Sequence, residues 1–230
     1  MERKKNKLKG SNASNTVKIR VGILIILHIV GLIGFMIPQT RELFRLIVPL
    51  HLLVISIVLF WEKSSLEVNF WVYFILSFFI GFVAEAFGVK SGLLFGYYHY
   101  SDYLFVKLID VPIVIGILWA SVSYATNQIS KTLFPDSVFF AVLLNGLLMV
   151  LFDYIMEPFA VHSGLWIWEE SKIPAYNYLC WFGLGLILGI IYNYTFKDRS
   201  NKVAIYFISI QILFFIFYQI LNGLFSLSPF

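Results

Sequence analysis

Three carboxylates stand where the chain is otherwise apolar enough to lie in lipid. Asp153 and Glu157 close the run FFAVLLNGLLMVLFDYIME, and Glu85 sits in FVAEAFG. An acid at the centre of a membrane helix costs about 2.5–3.5 kcal/mol on insertion scales, so each one asks for a reason. Residues i and i+4 of a helix share a face, about 5–6 Å apart at Cβ, so Asp153 and Glu157 address one place. Aromatics gather in the segments that follow these acids: Tyr97, Tyr98 and Tyr100 after Glu85, then Trp166, Trp168 and Tyr176 after Glu157. A buried carboxyl next to a second acid can hold its proton near neutral pH. Such a group can protonate a carbon–carbon double bond, and aromatic faces stabilise the tertiary carbocation that results. A second carboxylate can then take a proton from attacking water, or from carbon to form a new alkene. The residue set therefore points to acid-initiated chemistry on an isoprenoid chain.

Each of these residues also has a plainer reading. Asp110 precedes Val111 and Pro112 and reads as the N-cap of a helix. Glu157 precedes Pro158 and reads equally as a helix end reaching the interface. Trp and Tyr collect at bilayer interfaces whatever a protein does. The four histidines, His28, His51, His99 and His162, form no HExxH motif and no histidine box, which argues against a membrane di-iron oxygenase. Each reads as a single hydrogen-bonded residue. The last apolar run, VAIYFISIQILFFIFYQILNGLF, has no lysine for a retinal Schiff base, and neither a phosphate loop nor a dinucleotide fingerprint occurs. No metal and no cofactor is expected. Cys180 is the one cysteine; it excludes an intrachain disulfide and reads as a small packing residue.

The elements that must position these groups are membrane helices. Of 230 residues, 60% are hydrophobic and 13% charged, with mean hydropathy +0.83, whereas soluble domains carry about 25% charged residues. A bilayer crossing takes about 20 apolar residues. Candidate spans fall at 20–37, 43–61, 69–88, 111–129, 137–157, 177–196 and 203–223. The expected fold is an all-α polytopic membrane protein of about seven transmembrane helices. Two aromatic-rich outer loops, 89–110 and 158–175, would cap a polar pocket. Residues 1–19 read as a disordered basic tail and 20–230 as one membrane domain, with the first apolar run kept as a helix. The net charge of +4 is concentrated in that tail, which suits anionic lipid and not nucleic acid. Twelve Lys and Arg fall on the side of the N-terminus, against Arg41, Arg45, Lys90, Lys107 and Lys172 opposite. That asymmetry predicts a cell-membrane protein with its N-terminus cytoplasmic and its C-terminus outside.

The ordered series FVAEAFG, SGLLFGYYHYSD, DVPIVIGILWA, DYIMEPFAVHSGLWIWEE and IPAYNYLCWFG resembles the integral-membrane carotenoid biosynthesis family over roughly residues 20–220. That family includes carotenoid 1,2-hydratases and bisanhydrobacterioruberin hydratases. The resemblance implies a cofactor-free hydro-lyase that adds water across the terminal double bond of an acyclic ψ-end group. Its substrate would be a lycopene- or γ-carotene-type carotenoid drawn from the bilayer, and its partners membrane lipid and other carotenoid enzymes. Carried over by motif, Asp153, Glu157 and Glu85 would be catalytic. Tyr98, Tyr100, Trp119, Trp166, Trp168, Asn177 and Trp181 would hold the substrate. Which of the three acids donates the proton stays open. Two other readings use the same residues: an end-group cyclase or isomerase, and a proton-coupled lipid carrier, although the chain has no inverted repeat of the carrier kind.

Overall fold

The structure is a computed structural model that describes residues 2–61, 67–170, 172–196 and 201–223, with side chains from Asn15 onward. The tail residues Arg3 to Lys9 and the loop charges Lys63, Lys197 and Arg199, which entered the orientation argument, lie outside the described side chains. The described residues hold seven α-helices: α1 (Glu2–Met36), α2 (Pro38–Phe60), α3 (Val68–Ser91), α4 (Ile113–Leu133), α5 (Val138–His162), α6 (Ala175–Thr195) and α7 (Val203–Leu221). Helix α1 begins at Glu2, where the sequence suggests an unstructured tail, and its apolar stretch of membrane length runs from Asn15 to Met36.

Six helices are long and apolar enough to cross a bilayer; α4 is the exception. The seven helices and the all-α polytopic membrane fold agree with the sequence reading of about seven spans, α4 being the least apolar of them. Helix α4 packs against α2, α3, α5, α6 and α7, so lipid does not select its composition. Ser121, Ser123, Thr126, Asn127, Gln128 and Ser130 are all buried on it. They bind its neighbours: Ser121 Oγ donates to Ser56 Oγ at 2.8 Å, Thr126 Oγ1 to Asn145 Oδ1 at 2.7 Å, and Asn127 Nδ2 to Tyr73 OH at 3.1 Å. Each such bond contributes about 0.5–1.5 kcal/mol and fixes register between helices. Helix α3 shows the complementary pattern. Trp71, Ile75, Phe79, Val83 and Phe87 face outward at helical spacing, while Tyr73, Ser77, Gly81 and Glu85 face the bundle.

Helices α5 and α6 approach closely because glycines meet. A Cβ added at Gly185 would lie 2.8 Å from the Gly146 Cα. Small residues of this kind let membrane helices pack backbone to backbone. Asn145 Nδ2 ties the same contact by donating to the Gly185 carbonyl at 2.7 Å.

Two helix ends differ from the sequence reading. Pro158 does not end α5, which continues through it to His162. The last turn is held by burial of Phe159 and Ala160, with Phe159 edge-on to Phe35 and Tyr218 at 5.0 and 4.8 Å. Asp110 does not cap α4, whose N-cap is Pro112. Asp110 lies instead in a turn at φ 63°, exposed and paired with Lys90. That hydrogen bond and the lysine charge hold its carboxyl below the usual range.

The two expected outer loops are joined. Strand β1 (Tyr98–Tyr100) pairs antiparallel with β4 (Trp166–Trp168), with Tyr98 opposite Trp168 and Tyr100 opposite Trp166. A shorter pair, β2 (Lys107–Leu108) with β3 (Val111–Pro112), and a 3-10 turn over Asp102–Leu104 complete the cap. Strand side chains alternate between faces. Tyr98, Tyr100, Trp166 and Trp168 therefore point inward and are buried, while His99 and Ile167 point out.

Candidate active site

The inward face of the β1–β4 ribbon lies over the ends of α3 and α5, and this brings the acids and the aromatics together. Glu85 is 5% exposed, Asp153 1% and Glu157 3%. Glu85 Oε2 accepts from the Tyr98 hydroxyl and from the Tyr100 hydroxyl at 2.8 Å, and its Oε1 accepts from Trp119 Nε1 at 2.9 Å. Glu157 Oε2 accepts from both tryptophans of β4, Trp166 Nε1 at 3.1 Å and Trp168 Nε1 at 3.2 Å. Asp153 Oδ2 accepts from Asn177 Nδ2 at 2.7 Å. Its Oδ1 is buried and has no hydrogen-bond partner among the described residues.

An indole N–H only donates. Glu157 thus meets two donors on one oxygen, and Glu85 meets three over both oxygens. Donors aimed at a carboxylate stabilise its charge, each worth about 1.5–3 kcal/mol when the acceptor is ionised. Among the described residues, no Lys or Arg pairs with any of the three acids. Neutral donors replace cations here. The phenols themselves are held protonated: burial first, and then the Glu85 charge, push Tyr98 and Tyr100 well above their ordinary range.

Trp119 is fully buried and stacks on Trp181 at 4.1 Å between ring centroids and 22° between planes. Gly81 makes room for it, since a Cβ there would lie 2.4 Å from the Trp119 Cβ. Tyr98 lies against Trp168 at 5.0 Å, and Tyr100 meets Trp166 edge-on at 5.9 Å.

All ten residues singled out in the sequence line one small cavity of about 30 Å³: Glu85, Tyr98, Tyr100, Trp119, Asp153, Glu157, Trp166, Trp168, Asn177 and Trp181. Phe95, from the SGLLFGYYHYSD motif, also lines it, and Ile115, Leu118 and Met156, which were not foreseen, complete its wall. Ile115 stands one turn before Trp119 on α4, so spacing marks it as a neighbour of the site, whereas Leu118 and Met156 directly precede Trp119 and Glu157 and carry no such mark.

A second cavity, of about 140 Å³, adjoins the first and was also not foreseen. Ile115, Leu118, Met156 and Trp166 line both. It runs between α1, α2, α4, α5 and α7, and its lining is apolar apart from His28, His51 and Gln211. Two of the four histidines thus form a pair: His28 and His51 meet edge-on at 4.9 Å. His162 bonds singly, to the Tyr218 hydroxyl at 2.8 Å.

The fold and site define a class: a membrane protein whose helix bundle holds three buried carboxyls under an aromatic ribbon, beside an apolar cavity. The sequence model of the carotenoid biosynthesis protein family matches residues 44–228, and the chain belongs to that family. The curated proteins and the solved structures give no match.

Proposed function

We propose that this protein is a carotenoid hydratase, adding water to the terminal double bond of an acyclic end group. The observation that carries the reading is Asp153 Oδ1, a buried carboxyl oxygen without a partner in a cavity whose other two acids are crowded with donors. Glu85 and Glu157 are equipped as carboxylates. Asp153 has one donor and a bare oxygen, which suits it to carry the transferable proton.

The carotenoid chain enters from the 140 Å³ apolar cavity and presents its end past Ile115, Leu118, Met156 and Trp166. Asp153 delivers its proton to the less substituted alkene carbon, and the electron pair of the double bond forms the new C–H bond. The tertiary cation faces Trp166, Trp168 and the Trp119–Trp181 stack, whose ring faces attract positive charge. Water adds to the cation. Glu157, whose two indole donors both occupy Oε2, takes the water's proton through Oε1. Asp153 lies one turn away on the same helix and recovers that proton. The sum is one water added and no group oxidised or reduced.

The small volume around the acids supports water as the attacking group. About 30 Å³ is room for a water or two, whereas ring closure needs the end group folded back on itself. In this reading the protein sits in the cell membrane with its N-terminus cytoplasmic, supported by the excess of Lys and Arg on the N-terminal side. The test is expression in a host that makes acyclic carotenoids, followed by mass analysis of the pigment. A product heavier by one water supports the hydratase; a ring-bearing product of unchanged mass assigns a cyclase instead.

A further inference from the structure

The acid chemistry makes no use of the polar side chains gathered where the start of α2 meets the ends of α5 and α7. Arg41 and Arg45 stand at i and i+4 on α2 and share a face, an arrangement that costs stability unless something offsets the like charges. Glu42 offsets one of them. Its Oε1 accepts from Arg45 Nη1 at 2.6 Å and its Oε2 from the Tyr103 hydroxyl at 2.7 Å, so both oxygens are engaged. Arg45 also lies over the Tyr103 ring at 5.6 Å, and its Nε is buried without a partner among the described residues. Arg41 commits Nε to the Phe35 carbonyl at 3.0 Å, and no acid among the described residues pairs with it. Lys90 and Lys107 differ, being paired with Asp110 and Asp102.

His162, the last residue of α5, completes the cluster. Arg41 and Arg45 are the charges that act most strongly on it. Its Nδ1 lies 2.8 Å from the Tyr218 hydroxyl, which in turn accepts from Ser163 Oγ at 3.4 Å. Tyr218 can therefore donate to Nδ1, which leaves Nε2 free to carry an N–H towards an anion. The cluster stands over one end of the apolar cavity. Phe35, Phe44, Leu104 and Phe159 line that cavity. Phe35 supplies the carbonyl that Arg41 binds, Phe44 precedes Arg45, and Leu104 follows Tyr103. Phe159 stands one turn before His162 and packs edge-on to Tyr218 at 4.8 Å.

We propose that Arg41, Arg45 and His162 form a headgroup site for an anionic phospholipid, with its phosphate on this rim and an acyl chain in the adjoining end of the cavity. The rim offers N–H donors and net positive charge, and its one acid has both oxygens bonded already. A guanidinium fork matches the oxygens of a phosphate. A zwitterionic headgroup would bring a cation that finds no acid free to receive it. An apolar polyene has nothing for the rim to hold. The site stands whether or not the buried acids hydrate a carotenoid.

The test counts bound lipid. The full chain is reconstituted in nanodiscs of phosphatidylglycerol and phosphatidylcholine in equal parts and extracted in detergent, and the lipid that stays with the protein is identified by mass. The wild type should retain phosphatidylglycerol over phosphatidylcholine by about fivefold, the scale of one cation at a lipid surface. Arg41→Gln and His162→Phe should each bring retention towards parity. Glutamine keeps an N–H for the Phe35 carbonyl, and His162 is exposed, so neither change empties the core. Lys90→Gln, whose charge is already paired, should leave the preference intact. Equal retention of the two lipids by the wild type overturns the proposal. A preference that survives in both variants also overturns it, because it would report general surface charge. Thermal unfolding of the delipidated protein separates a lipid from a free anion. Phosphatidylglycerol should raise the midpoint, and inorganic phosphate at the same concentration should not; equal shifts with both would overturn the lipid site.

Discussion

Asp153→Asn isolates the proton from everything else the side chain does. In the structure Asp153 Oδ2 accepts from Asn177, and Oδ1 has no partner. Asparagine can keep its carbonyl oxygen on Asn177 and place its amide nitrogen where Oδ1 was. The hydrogen-bond count is unchanged, so stability should shift by no more than about 1 kcal/mol. The transferable proton is gone. Removal of a general acid lowers rates by about 100- to 10,000-fold, or about 2.7–5.4 kcal/mol in the barrier. The assay is the rate of appearance of hydrated pigment in a carotenoid-making host, divided by the amount of protein in the membrane fraction. Asn177→Leu serves as the contrast. It removes the one donor on Asp153 but leaves the acid, and should cost far less activity. A rate near wild type for Asp153→Asn at equal membrane level would refute Asp153 as the acid. The buried pair would then be structural.

The donors on Glu85 make a second expectation. Tyr98→Phe or Tyr100→Phe should each slow conversion about tenfold, the scale of a hydrogen bond to a charged group. Both phenols sit above their ordinary range, so no loss of activity from their ionisation should appear below about pH 10. Gly185→Ala should destabilise the α5–α6 contact by about 1–3 kcal/mol, read as a lower aggregation temperature in detergent. In water enriched in heavy oxygen the product hydroxyl should carry the label, and in deuterated water the neighbouring carbon should carry deuterium; a hydroxyl labelled from dioxygen gas would refute the mechanism. Single cysteines at Ile167 and Asp136, in a Cys180→Ala background, should react oppositely with an impermeant thiol reagent, with Ile167→Cys labelled in intact cells.

The gathering of the site was legible because its members are expensive or large. Carboxylates in apolar runs mark themselves, and the i, i+4 spacing of Asp153 and Glu157 fixes their common face. The ribbon was legible in principle, since YHY and WIW alternate with the period of a strand, but three residues is too short a run to name a partner. Which strand pairs with which depends on how α3 and α5 stand side by side. Pro158 and Asp110 misled for a related reason. Local rules end a helix at proline and cap one with aspartate, yet burial of Phe159 carried α5 onward, and Lys90 drew Asp110 away. The apolar cavity could not be read at all, because its lining comes from five helices, none of which shows a special pattern alone. His28 and His51 are separated by a helix boundary in sequence and meet only when α1 and α2 pack.

The polar helix at the centre sets terms for how the protein is made. A nascent chain that has reached Leu133 has delivered α4 with α2 and α3, two of its five packing partners. Asn127, Gln128 and the row of hydroxyls gain little from hydrocarbon, so the translocation machinery has no strong hydropathic cue to release this segment sideways into lipid. Its polar face finds its remaining partners only after α5, α6 and α7 have been synthesised, when Asn145 reaches Thr126 and Asn201 reaches Gln128. The expected outcome is a late and cooperative insertion of α4. A ribosome stalled after Leu133 should leave α4 accessible to extraction or to a membrane chaperone, whereas one stalled after α7 should not.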